Sequence, residues 1–88
     1  MIRRRVVARG RVQGVFFRDS TRREAQSAGV AGWVRNRPDG AVEAVFEGDE
    51  GAVGRMVEFV RNGPGHAEVD DLEISEEEPE GLSGFDVR

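Results

Sequence analysis

The chain has 88 residues, one histidine and no cysteine, which bounds it to one domain over residues 1–88 with a small core and excludes disulfides, thiolate chemistry and the usual zinc ligands; no metal or cofactor is expected. No apolar run approaches the roughly 18 residues of a spanning helix and there is no secretory segment, so the default expectation is a cytoplasmic monomer with no membrane partner. The net charge of −4 is unevenly spread, with ten Arg against two acids in residues 1–37 and three Arg against fifteen acids in residues 38–88, a balance that can attract a small anion but repels nucleic acid.

Along the chain, Val6, Ala8, Gly10 and Val12 alternate with Arg5, Val7, Arg9 and Arg11, which predicts a strand over about 4–12. Residues 13–17, Gln-Gly-Val-Phe-Phe, form a short loop. A helix follows over 18–28 with Phe17, Thr21, Ala25 and Ala28 on its inner face, stopped by Gly29. Residues 30–37 read as a second strand and 41–48 as a third, joined by the turn Pro38-Asp39-Gly40. Asp49 can cap a second helix over 50–62, where Val53, Met56, Val57 and Val60 make one apolar stripe. Gly63-Pro64-Gly65 ends that helix. Val69, Leu72 and Ile74 mark a fourth strand whose phase slips near Asp70-Asp71, as a bulge would cause. Glu76 to Glu80 reads as a charged connector, and Phe85 with Val87 suggests a short last strand. The order is that of an α+β, ferredoxin-like βαββαβ sandwich: an antiparallel sheet with both helices on one face and a short extra C-terminal strand. Such a fold hosts many functions and names none.

The segment from Gly10 to Arg18 takes a strand through a tight loop into a helix. The first N–H groups of a helix lack partners and carry partial positive charge, and a glycine-containing loop can aim more of them at one phosphate. The spacing matches neither the P-loop nor the dinucleotide fingerprint. Arg18 stands where the helix dipole favours an acid. It is either a solvated side chain offset by Asp19 or a cation that shares a bound dianion with the loop, for which the planar guanidinium is well shaped. Asn36 stands at the end of the second strand, where it either starts the turn or serves a site. In this fold strands one and two are parallel with strand three between them. Their C-terminal ends therefore share an edge roughly 10 Å apart, which lets Arg18 and Asn36 converge on one small ligand.

These residues resemble the acylphosphatase family. The matching stretches are Gly10-Arg11-Val12-Gln13-Gly14-Val15 with Phe17-Arg18, then Gly29-Val30, Gly32-Trp33-Val34 with Asn36, Asp39-Gly40, Val42-Glu43, Gly63-Pro64 and Phe85. The resemblance spans nearly the whole chain. It implies metal-independent hydrolysis of the carboxyl–phosphate anhydride of a small acyl phosphate, with inorganic phosphate as product and competitive inhibitor. It also implies that the loop residues Gln13, Gly14, Val15, Phe16, Phe17 and Arg18 bind the phosphate, and that Asn36 holds the attacking water. Position 16 varies among members and reads as a loop or packing choice. The chain ends at Arg88 without the terminal aromatic of some members.

Two other functions fit the strand order. An RNA-recognition domain would display stacking aromatics on the central strands, yet residues 4–12 have none and 41–48 have Phe46 alone. A non-catalytic anion-binding module would keep the loop without turnover. Elsewhere Trp33 reads as core packing, His66 as a surface loop residue, Arg3-Arg4-Arg5 as a solvated strand start and Glu76-Glu77-Glu78 as a solvated connector.

Overall fold

Period-two alternation in the first strand, β1 (Ile2–Arg11), sends Val6 and Ala8 into a helix-covered core and Arg3 and Arg5 to the opposite face of the sheet. The computed structural model describes residues 1–88. After β1 come α1 (Phe17–Ala28), β2 (Ala31–Asn36), β3 (Val42–Gly48), α2 (Glu50–Asn62), β4 (Glu68–Glu77) and β5 (Phe85–Val87). These elements form one five-stranded sheet in the order β4-β1-β3-β2-β5. The four longer strands pair antiparallel, as the ferredoxin-like pattern requires. The short β5 instead lies parallel to β2 at the edge, so the sheet is mixed rather than wholly antiparallel.

Both helices cover one face. The apolar stripe of α2 buries Val53, Met56, Val57 and Val60, and its first turn is capped by Asp49, which accepts from the Gly51 N–H at 3.2 Å. From α1, Phe17, Thr21 and Ala25 are buried, whereas Ala28 is half-buried. Phe46 in β3 stacks on Phe85 with ring centroids 5.7 Å apart. Phe85 reaches that position beside Gly32, where a side chain would meet the Val45 carbonyl oxygen. The phase slip in β4 is a bulge: Arg9 pairs with Asp71 but Gly10 with Val69, leaving Asp70 as the extra residue.

The other face is built from charge, and here two expectations fail. Arg3 is 4% exposed and is not a solvated strand start; it donates to Glu47 at 2.7 Å and to Glu77 at 2.8 Å. Glu76 and Glu77 belong to β4 and not to a solvated connector, because β1 and β4 pair along their full length with Arg3 opposite Glu77. Glu77 also accepts from Arg5 at 2.7 Å, and Arg5 and Arg35 both donate to Glu43. Glu47, 1% exposed, further accepts from the N–H groups of Glu80, Gly81 and Leu82, which fixes the segment leading to β5. Trp33 is buried as expected, but on this face. The guanidiniums of Arg88 and Arg5 lie 4.7 and 5.5 Å from its ring centroid.

Candidate active site

The loop between β1 and α1 is anchored at its start by Val12, whose side chain is fully buried. Gly14 then turns the chain at φ 76°, and Phe16 at φ 60° and ψ 21° is the one non-glycine residue with a left-handed backbone. That conformation costs an ordinary L-residue about 1–2 kcal/mol. No side chain caps α1, and its first hydrogen bond runs from the Ser20 N–H to the Phe16 carbonyl at 3.0 Å. As a result, no main-chain N–H from Gly14 to Asp19 has a hydrogen-bond partner within the protein. Six consecutive donors at the positive end of a helix make a strong attraction for an anion.

Arg18 adds a full charge to those donors. It is half-buried, pairs with no side-chain carboxylate, and donates from Nη1 to the main-chain oxygen of Arg88 at 3.2 Å. Asp19 does not offset it. The Asp19 carboxylate accepts from Arg22 at 2.6 Å and pairs with Arg23 at 2.9 Å, and the bond from Arg22 holds its carboxyl below the usual range. No side-chain carboxylate therefore neutralises the cation next to the free N–H groups.

Asn36 closes β2, opposite Val42 in β3. Its side-chain Oδ1 is buried without a hydrogen-bond partner, one of two such atoms in the protein with Thr21 Oγ1 on the inner face of α1. Unpaired buried polar atoms are rare, and functional sites are a frequent reason for them. Gln13 holds the two halves of the arrangement together. Its Nε2 donates to the carbonyls of Arg37 at 2.8 Å and Ala41 at 2.9 Å, which ties the loop to the β2–β3 turn just beyond Asn36.

One open cleft of about 620 Å³ lies between these parts. Gly14, Phe16, Phe17 and Arg18 line it from the loop and helix, and Asn36 lines it from β2. Gln13 and Val15 do not: the first is turned to the hairpin and the second packs against the core. Asp19, Arg22 and Val87 also line the cleft, and sequence reading missed all three. The spacing of four between Arg18 and Arg22 was a usable signal, since side chains so spaced share a helix face. Nothing in the sequence announced Val87, whose place depends on the parallel seating of β5. His66 is exposed in the loop after α2 and lies off the cleft; its carbonyl accepts from Arg11 at 3.1 Å.

The acylphosphatase family model matches residues 4–87, nearly the full chain. The chain belongs to the acylphosphatase family. An acylphosphatase from Rubrobacter xylanophilus is 59% identical over 85 residues, which is 96% of this chain and 77% of that protein. One from Haloarcula marismortui is 55% identical over 86 residues, covering 98% of this chain and 94% of its own. The crystal structure of acylphosphatase from Bacillus subtilis superposes with a TM-score of 0.96 at 42% identity, covering 100% of this chain and 99% of that one. Membership over the whole length places the chain among the acylphosphatase enzymes, on a fold shared with solved acylphosphatases.

Proposed function

We propose that the cleft hydrolyses the anhydride between a carboxylate and phosphate in small acyl phosphates, with Arg18 and the N–H groups of the 13–18 loop binding the phosphoryl group and Asn36 orienting the attacking water. The observation that carries this reading is the run of unpaired main-chain donors from Gly14 to Asp19 beside a guanidinium with no side-chain carboxylate on it, with the Asn36 amide on the same cleft.

The chemistry asks little more of the protein. Water attacks phosphorus as the bond from phosphorus to the acyl oxygen breaks, and the departing group is a carboxylate, stable without protonation. The transition state for phosphoryl transfer is loose, so positioning and charge stabilisation are the main demands. Arg18 and the loop donors meet the three non-bridging oxygens, where charge is spread. Asn36 holds the water in line. The water proton passes to a phosphate oxygen, which leaves inorganic phosphate and the free carboxylate and requires no protein base. With one histidine and no cysteine in the chain, the reading assigns no role to a metal. It places the enzyme in the cytoplasm as a single-domain monomer whose partners are the acyl phosphate and inorganic phosphate. No helix is long and apolar enough to cross a membrane.

Steady-state hydrolysis of benzoyl phosphate by the purified protein, with chelator present, tests the reading. Turnover with competitive inhibition by inorganic phosphate is expected. Failure to turn over any of several acyl phosphates, with phosphate unbound at millimolar concentration, would overturn it.

A further inference from the structure

Four large apolar side chains are exposed in this protein: Met1, Phe16, Ile74 and Val87. Two of them, Phe16 at 82% and Val87 at 41%, stand on the same cleft as Arg18 and Asn36. They come from unrelated parts of the chain, the last loop residue before α1 and the end of β5. Neither is accounted for by packing. Phe16 is absent from the core, whose nearest aromatic neighbour in sequence, Phe17, is fully buried. Its backbone is also the strained left-handed one, where glycine or asparagine would sit with less strain than an aromatic. A residue that is strained, exposed and apolar at the mouth of a phosphate-seeking cleft is unexplained by folding alone.

The cleft thus carries two exposed apolar side chains beside its charged and amide groups. An acyl phosphate has the same division: a dianionic end and a carbon end joined through the scissile anhydride. We propose that Phe16 and Val87 form a platform for the acyl group and make the enzyme favour acyl phosphates with an aromatic or extended apolar acyl chain over acetyl phosphate. The proposal rests on the phosphate-end reading above, since the phosphoryl group must be held at Arg18 for the acyl group to lie against these two side chains. An aromatic contact of this kind is worth roughly threefold to tenfold in binding. It lies away from phosphorus and is the same in ground and transition states, so it lowers KM and leaves kcat alone.

The test compares benzoyl phosphate and acetyl phosphate on the wild type, Phe16→Gly, Phe16→Leu and Val87→Ser, with inorganic phosphate as competitive inhibitor. Phe16→Gly relieves the backbone strain, so the variant folds, and thermal unfolding checks that it does. The expected result is a threefold to tenfold fall in the preference for benzoyl over acetyl phosphate, read as the ratio of the two kcat/KM values, in Phe16→Gly, and a rise in the KM for benzoyl phosphate alone, with kcat and phosphate inhibition unchanged, in Val87→Ser. Phe16→Leu should recover part of the loss, and Val87→Ser should show a smaller loss of the same kind. An unchanged preference between the two substrates in a folded, active Phe16→Gly would overturn the platform while leaving the hydrolase reading intact. Equal losses on both substrates together with weaker phosphate inhibition would also overturn it, by showing that Phe16 shapes the loop. A wild type inactive on both substrates would instead overturn the hydrolase reading.

Discussion

The Asp19 carboxylate accepts from the Arg22 guanidinium at 2.6 Å, on the wall of the same cleft, and so leaves its neighbour Arg18 with a main-chain oxygen as its one partner. An acid that would have neutralised the site cation is thereby taken up by Arg22 and Arg23. Replacing the cation should then remove stabilisation that the loop N–H groups alone do not supply, since Arg22 is already paired with Asp19. Arg18→Ala is expected to lower kcat/KM by about 10²–10³ and to weaken inhibition by inorganic phosphate. Steady-state kinetics with a phosphate titration reads both quantities, and full activity in the variant would count against the whole site.

Asn36→Ala should separate water from phosphate. Its amide is assigned to the nucleophile, so kcat is expected to fall by about 10²-fold while the inhibition constant for phosphate stays near the wild-type value. Weaker phosphate inhibition with an unchanged rate constant would reassign Asn36 to the phosphoryl group.

Gln13 is assigned to positioning, since its Nε2 joins the loop to the Arg37 and Ala41 carbonyls. Gln13→Leu removes the donor from both and should cost about 1–3 kcal/mol in stability. It should also lower kcat, because the loop and Asn36 are no longer fixed relative to each other. Urea unfolding measures the first effect and turnover under native conditions the second. A variant with lowered stability and wild-type kcat would show that the tie serves the fold alone.

Acid should loosen the charged face of the sheet before it affects the core. Hydrogen bonds from Arg5 and Arg3 hold Glu77 down at about 2 from the ordinary 4.5. The folded state thus binds a proton less readily than the unfolded one, so stability from this group is complete above pH 4.5 and disappears as pH falls toward 2. Unfolding midpoints in urea at pH 7, 4.5 and 3 should fall across the lower interval. Glu77→Gln should be less stable at pH 7 and should show a flatter fall. Identical pH profiles for the two proteins would rule out this source of acid sensitivity.

The helix boundaries, the turn at Pro38-Asp39-Gly40, the cap at Asp49 and the bulge at Asp70 were legible because each depends on residues within one or two turns of chain. Arg18 and Asn36 were legible as partners because strand order fixes which strand ends share an edge. What sequence hid depends on distant pairing. Arg3 and Glu77 are 74 residues apart, and nothing local says that β4 runs long enough to bring them opposite each other. Both were therefore read as solvated charges. Likewise Gln13 resembled any other loop residue until the hairpin carbonyls were beside it, and Val87 reached the cleft through a parallel pairing that no turn signal marks.

That parallel pairing has a practical side. Because β1, β2 and β5 all point the same way, Arg88 comes out beside Arg18 and the cleft, whereas Met1 lies at the opposite end of the strands. An affinity tag or fluorescent fusion appended after Arg88 would crowd the proposed site and pull on the oxygen that steadies Arg18. The same appendage placed before Met1 would hang clear, so immobilisation and labelling belong at that end.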